Sequence, residues 1–364
     1  MHCALQTKKG ENTMKKILAL TLVVLMIAVS ACFAVAESDD KIYVGVSIGS
    51  LESEYWASLA AGAQMFVDQL PEGAAECTVM TSLEPDEQLS NVEAFCNSYG
   101  DHGVLFVDAR NKAITVSIVD MCEESGTKLC LYSSIEEGLY PTDYTNFVAF
   151  LTQDDYESAL IAARDLIAKI GGEGKICELY GILGAEPSEL RSEGLADAIA
   201  ETNGAVELLD QQVANHDASQ AMAAVENWIA LYGDEIDAIF CSSDTMAVAA
   251  AEAMKNAGME GTVMISGFDG TAAAWDCIRD GSMYSTIFND GYMVGFYAAD
   301  YAYSAATGIL DVATMDQAKR MFCTKVALVT AENVEEYANY QPNFDWTDLD
   351  SCINSIYPNA SLEG

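Results

Sequence analysis

From Ile42 onward the chain alternates two kinds of apolar pattern. Short unbroken runs at Ile42–Ile48, Gly103–Val107 and Lys128–Tyr132 read as strands buried on both faces. Between such runs, apolar residues recur every three or four positions. From Tyr55 to Leu70, the residues Trp56, Leu59, Ala60, Ala63, Phe66 and Val67 fall on one helical face. Further strands are predicted at Thr78–Thr81 and Phe147–Phe150, with helices at Glu87–Ser98 and Lys112–Glu124. A second series starts at Asp154, with helices to Ile170, at Ser188–Glu201, Ala218–Leu231, Thr245–Ala257 and Ala272–Arg279. Its strands are Lys175–Tyr180, Val206–Gln211, Ala238–Cys241 and Val263–Gly267. Repeated strand–helix units imply parallel sheets with right-handed crossovers and helices on both faces. The fold class is therefore α/β, with two doubly wound parallel-sheet lobes. No long linker divides the series, and the turn Phe150-Leu-Thr-Gln-Asp154 is the expected first crossing between lobes.

The start of the chain follows a different rule. Met14-Lys-Lys-Ile17 opens a segment with two positive charges, an apolar run to about Ala36, and a polar exit at Glu37-Ser-Asp-Asp40. That is the layout of a secretory signal over residues 14–36. Two cleavage sites compete: Ala34-Val-Ala36 suits ordinary signal peptidase, and Val29-Ser-Ala-Cys32 resembles a lipobox in which Cys32 would be lipidated. Residues 1–13 read as untranslated upstream sequence, because Gly10-Glu11 can be back-translated as a ribosome-binding site just before the Met14 codon. The expected location is outside the cytoplasm, periplasmic or at the cell surface.

Charge and cysteine content narrow the partners. With 17 Lys plus Arg against 56 Asp plus Glu, the net charge of −39 repels nucleic acid and anionic lipid. Nine cysteines follow Cys32, an odd number without a Cys-x-x-Cys spacing, so neither zinc nor a redox motif is expected. They read as buried reduced thiols that behave like small apolar residues.

The strand ending at Gly267 presents Asp269 beside a glycine, and ligands of open α/β sheets bind outside the carboxyl ends of strands. Four blocks then carry a family likeness: Val46–Trp56 with Ser58–Gln64, Gly181-Ile-Leu-Gly184 with Arg191-Ser-Glu-Gly194, Cys241-Ser-Ser-Asp-Thr-Met-Ala247, and Gly267-Phe-Asp-Gly-Thr271. In order and spacing the chain resembles type I periplasmic sugar-binding proteins of the ribose- and galactose-binding kind, from about Lys41 to Tyr337. The same fold serves lactose-repressor-type regulators, but an export signal stands where those carry a helix-turn-helix. The resemblance implies a monomer of two lobes joined by a three-segment hinge, with crossings near Thr152, Asn289 and Cys323. It places residues 41–152 and 290–322 in the N-terminal lobe, and residues 153–289 and 323–364 in the C-terminal lobe and tail. It also implies closure on one small ligand and delivery to an ABC permease and its ATPase. The alternative role is a sensing subunit that presents its closed form to a chemoreceptor or histidine kinase.

By the same resemblance, Tyr55 and Trp56 stand for the aromatic pair around a sugar ring, although Trp56 also fits the core face of its helix. Asp269 would accept hydroxyl hydrogen bonds, with helix capping as the other reading. Arg191 would bind ligand or pair with Glu193 at the surface. Ser243 replaces an Asn of the family, Ser53 another, and Asn289 stands at a hinge strand. Leu131-Tyr-Ser-Ser134 replaces an Asp-Arg pair, which leaves Ser133 and Ser134 as candidates. His216 falls near an aromatic contact of the family, or is a plain loop residue.

Catalysis has little to build on. Gly45-Val-Ser-Ile-Gly49 matches a nucleophile elbow, but Ser47 falls inside a strand rather than on a sharp turn. The acids Asp345, Asp348 and Asp350 lack the glycine and final Glu of a calcium loop. No cofactor, metal or enzymatic activity is expected. With Arg191 alone against Asp269, Asp244, Glu52 and Glu54, the expected ligand is a neutral monosaccharide or polyol, then an amino-substituted one, and last an anion.

Overall fold

The computed structural model describes residues 41–356, so the signal segment and Cys32 lie outside the described residues. Strands β1 (Ile42–Ile48), β2 (Ala75–Thr81), β3 (Gly103–Asp108), β4 (Lys128–Tyr132) and β5 (Phe147–Gln153) form one parallel sheet. Strands β6 (Gly174–Tyr180), β7 (Val206–Val213), β8 (Ala238–Cys241), β9 (Met264–Asp269) and β10 (Ser285–Asn289) form the parallel part of a second. The chain then returns. β11 (Met321–Thr324) joins the first sheet beside β5, β12 (Val326–Thr330) lies antiparallel on β10, and β13 (Ile353–Ile356) lies antiparallel on β11.

Helices α1 (Glu54–Gln69), α2 (Pro85–Tyr99) and α3 (Thr115–Ser125) follow β1, β2 and β3. α4 (Asp155–Lys169) follows β5, and α5 (Glu186–Glu201), α6 (Ala218–Tyr232), α7 (Asp244–Asn256) and α8 (Ala272–Asp280) follow β6 to β9. α9 (Gly291–Ala306) follows β10, and the short α10 (Val334–Ala338) follows β12. Each sheet is covered on both faces, which explains the unbroken apolar runs of its strands. One face of the first sheet packs Val44 and Val46 against Leu59, Phe66 and Phe296, and the other packs Leu105 and Leu131 against Phe95 and Ile118. The second sheet is sandwiched likewise between Trp228, Met246 and Trp275 on one side and Leu166 and Leu195 on the other.

α9 is apolar nearly all round, and it is wedged between the first sheet and α1. Glycines make the fit. A Cβ on Gly295 would lie 1.9 Å from the Leu59 carbonyl oxygen, and one on Gly62 would lie 2.1 Å from that of Tyr292. The two helix backbones therefore touch, and this fixes the direction of α1, whose first turn carries Tyr55 and Trp56.

Three strands run further than their apolar residues suggest. Asp108 still pairs with Tyr132, Gln153 with Thr324, and Asp269 with Phe288. A hydrophobic pattern stops at the last apolar residue, whereas the backbone ladder continues into the polar residue beyond it. The tail departs from its expected place: of residues 323–364, expected with the second lobe, Val326–Thr330 lies in the second sheet, but Cys323, Thr324 and Ile353–Ile356 sit in the first. The physical reason lies in the apolar residues between the tail's acids. Phe344, Trp346, Leu349 and the buried Cys352 pack on the first lobe's core, leaving Asp345 and Asp348 outside.

Hydrogen bonds join the lobes across their facing edges. The Lys112 amide donates to the Gly184 carbonyl at 3.2 Å, and its ammonium meets Glu189 at 2.5 Å. Glu186 makes a reciprocal pair: its carboxylate accepts from the Ile135 amide at 3.0 Å, while its own amide donates to the Ser134 hydroxyl at 3.1 Å. Glu54 accepts from the Ala272 amide at the start of α8, at 2.7 Å. Glu186→Ala removes the acceptor for a buried amide only where the lobes touch, at a cost of about 1–3 kcal/mol. The expected outcome is a larger radius of gyration than wild type in small-angle scattering, with helix content unchanged by circular dichroism.

Asp300 lies in the middle of α9 with no exposure. One carboxyl oxygen accepts from Ser304 at 2.9 Å and the other has no partner, and burial raises the group to about 7. Because the folded value is above the unfolded one, this carboxyl favours the fold most below the ordinary Asp range, near 3.8. The contribution is lost as pH rises toward 7, by an amount on the order of a few kcal/mol. Asp300→Asn should therefore raise the melting temperature at pH 8 relative to wild type and leave little gain at pH 4.5, as thermal denaturation at the two pH values will show.

Candidate ligand-binding cleft

Between the lobes, the carboxyl ends of β1, β3, β4, β5, β8 and β9 converge on one cleft. About 70 Å³ of it is open to the centres of water-sized groups, enough for a small solute rather than one water. Tyr55, Trp56, Ser53, Ser133, Arg191, His216, Ser243 and Asp269 all line it.

Trp56 serves two surfaces, since its ring packs against the first core and also lines the cleft. Its indole N–H donates to Asp108 Oδ2 at 2.7 Å, and the Arg110 guanidinium stacks over the ring at 4.8 Å. A Cβ on Gly49 would lie within 2.6 Å of both Trp56 and Arg110, so glycine makes room for this stack. The Ser133 hydroxyl donates to the other Asp108 oxygen at 2.5 Å. Burial pushes the Asp108 carboxyl up, while Ser133, Arg110 and Trp56 pull it back.

On the second lobe, Arg191 is buried and pairs with Asp155, not with Glu193, which is exposed. Its Nε donates to Asp155 Oδ1 at 2.7 Å and its Nη1 to the Ser242 carbonyl at 2.6 Å, with the guanidinium 4.4 Å over Phe268. Asp269 faces these groups. Burial raises its carboxyl well above the usual range, Arg191 opposes the rise, and Asp244 and Asp155 add to it.

Asp244 itself is turned away from the cleft. Its carboxylate accepts from the amides of Gly270 and Thr271 at 2.8 Å each and from the Thr286 hydroxyl at 2.6 Å, clamping the turn after Asp269. Ser243 caps α7 through its hydroxyl, which accepts from the Met246 amide. Asp269 (φ 112°), Ser133 (φ 67°) and His216 (φ 56°) hold backbone conformations that cost roughly 1–3 kcal/mol each in non-glycine residues. His216 is kept neutral: burial, then Arg191 and Arg110, depress it to about 3, and its Nδ1 has no partner.

Two candidates lie elsewhere. Ser134 is buried outside the cleft lining, where its hydroxyl serves the Glu186 contact between lobes. Asn289 sits behind the aromatic wall, where its amide donates to the hydroxyls of Tyr55 and Tyr132, the latter at 2.8 Å. Those two hydroxyls are themselves 2.5 Å apart. Sequence reasoning missed Asp108, Arg110, Tyr132, Gln153 and Asp155. For Asp108 a signal existed, because it ends a strand just as Asp269 does. The end of β4 carries no acid or guanidinium, whereas Asp108 at the end of β3 and Arg110 just after it line the cleft. The nucleophile-elbow match is buried in β1, where the Ser47 hydroxyl accepts from Gln88 at 3.0 Å.

Known proteins share this architecture. The ribose import binding protein of Haemophilus influenzae is 28% identical over 283 residues, covering 78% of this chain and 90% of that protein. The D-allose-binding periplasmic protein of Escherichia coli is 25% identical, covering 78% and 88%. Among solved structures, a twin-arginine translocation pathway signal protein from Burkholderia phytofirmans superposes with a TM-score of 0.83 at 25% identity, over 87% of this chain and 98% of that one. A solute binding protein of an ABC transporter from Bacillus halodurans, with bound myo-inositol, gives a TM-score of 0.71 at 27% identity, over 83% and 99%. The family model described as the periplasmic binding protein domain matches residues 44–309, and the chain belongs to that family.

Proposed function

We propose that this protein is an extracytoplasmic solute-binding protein that closes on one neutral monosaccharide or polyol, without turnover, and delivers it to an ABC importer. The carrying observation is the state of the two cations in the cleft. The sequence suggested one, and Arg110 is a second, but Asp155 pairs with Arg191 and the Asp108 charge acts on Arg110. Arg191 is therefore not left over to neutralise an anionic ligand, and Arg110, whose buried Nε has no partner, offers a donor to a hydroxyl oxygen while its charge is balanced by Asp108 and Glu84. The acceptors are better placed for hydroxyl donors: Gln153 Oε1 is buried without a partner and Asp269 faces the cleft. The indole of Trp56 offers apolar surface for a C–H face. Relatives named for ribose and D-allose, and a structure holding myo-inositol, are of the same ligand class.

A thermal-shift screen over pentoses, hexoses, inositols and sugar acids tests this reading. A neutral member should raise the melting temperature in proportion to the logarithm of its concentration above Kd. A response confined to sugar acids, or conversion of the ligand to product, would overturn it. With that ligand at saturation the radius of gyration should fall as the lobes close. Asp269→Ala removes a charge-assisted acceptor and should weaken binding by about 3 kcal/mol, roughly a hundredfold. Isothermal titration calorimetry will read that loss, and an unchanged Kd would place the ligand elsewhere.

A further inference from the structure

Cys96 on α2 and Cys122 on α3 lie apart from the cleft, on the outer side of the first sheet. They are 26 residues apart in sequence, yet their sulfurs are 3.9 Å apart and hydrogen-bonded, with Cys96 4% exposed and Cys122 fully buried. The absence of close cysteine spacing concealed this pair, which the folding of β3 between the two helices brings together. Cys130, Cys177 and Cys241 differ, since each sits inside a strand as a space-filling residue.

We infer that Cys96 and Cys122 form a redox pair that closes to an intramolecular disulfide when the protein meets an oxidised small-molecule disulfide. The sulfurs must approach by about 1.9 Å to reach bonding distance. The order of steps follows from the surroundings. The hydrogen bond with Cys122 lowers the Cys96 thiol, with Ser125 and Thr127 helping against burial, and the same contact raises Cys122. Cys96 is thus the thiolate that attacks first. It displaces one thiolate from oxidised glutathione and forms a mixed disulfide. Cys122 then loses its proton, attacks the Cys96 sulfur and releases the second glutathione. In sum, two protein thiols and one glutathione disulfide become one protein disulfide and two glutathione thiols. The bond closes a loop that contains β3, the strand that ends in Asp108, and it ties two helices covering one face of the sheet.

The test uses the full chain, equilibrated with oxidised glutathione and a trace of the reduced form, then alkylated and mapped by mass spectrometry. The expected result is a cross-linked peptide joining Cys96 to Cys122, two fewer alkylated thiols, and a melting temperature about 5 °C higher that reductant reverses. Cys122→Ala should lose the thermal response and retain glutathione on Cys96. A wild-type map in which both cysteines remain alkylated, or in which Cys96 bridges to another cysteine, overturns the inference whether or not the variant folds.

Discussion

A guanidinium buried at the floor of the cleft sets the terms for the second lobe. Removing Arg191 from water costs several kcal/mol, recovered only where its geometry with acids and carbonyls is good. Three separate pieces of chain meet that demand. Asp155 begins the first helix after the chain leaves β5, Ser242 offers its carbonyl from the turn after β8, and Phe268 and Asp269 end β9. Without the cation, Asp269 would face both Asp155 and Asp244 uncompensated, and each of those acids already raises its carboxyl in a dry site. The unusual backbone of Asp269 persists because Asp244 clamps the turn beyond it and Arg191 faces its carboxyl.

The first lobe answers with a different arrangement. Asp108 has both oxygens occupied, by Trp56 and Ser133, and Arg110 lies over the indole. That acid therefore holds the tryptophan and the serine in place on the cleft wall. Asp269 and Gln153 keep acceptor atoms directed at the cleft. The first lobe thus presents a shaped aromatic wall together with the Gln153 acceptor, and the second presents the Asp269 carboxyl.

Most of the architecture was legible because these strands are buried on both sides and their helices are amphipathic. Ile42–Ile48, Lys128–Tyr132 and Ala238–Cys241 coincide with their apolar runs. What escaped was polar or non-local. Asp108, Gln153 and Asp269 continue strands beyond the hydrophobic signal. β11 to β13 are short and pair across large sequence separations, so no local period announces them. Ser134 and Asn289 have the chemistry of ligand contacts, but they are engaged with Glu186 and with the Tyr55–Tyr132 pair. Residue type alone does not distinguish a group that holds a ligand from one that holds the opposite lobe.

The return of Ile353–Ile356 to the first sheet makes the second lobe an insertion within the first. Backbone passes between them after Gln153, after Asn289, after Thr324 and again on the way to β13, one passage more than the three-segment hinge expected, because the tail returns to the first sheet. Several covalent tethers leave the lobes fewer ways to move relative to one another than a single linker would. They also make the chain tolerant of breakage. A single proteolytic nick at any one of the passages leaves three covalent bridges in place, and the two halves stay in register.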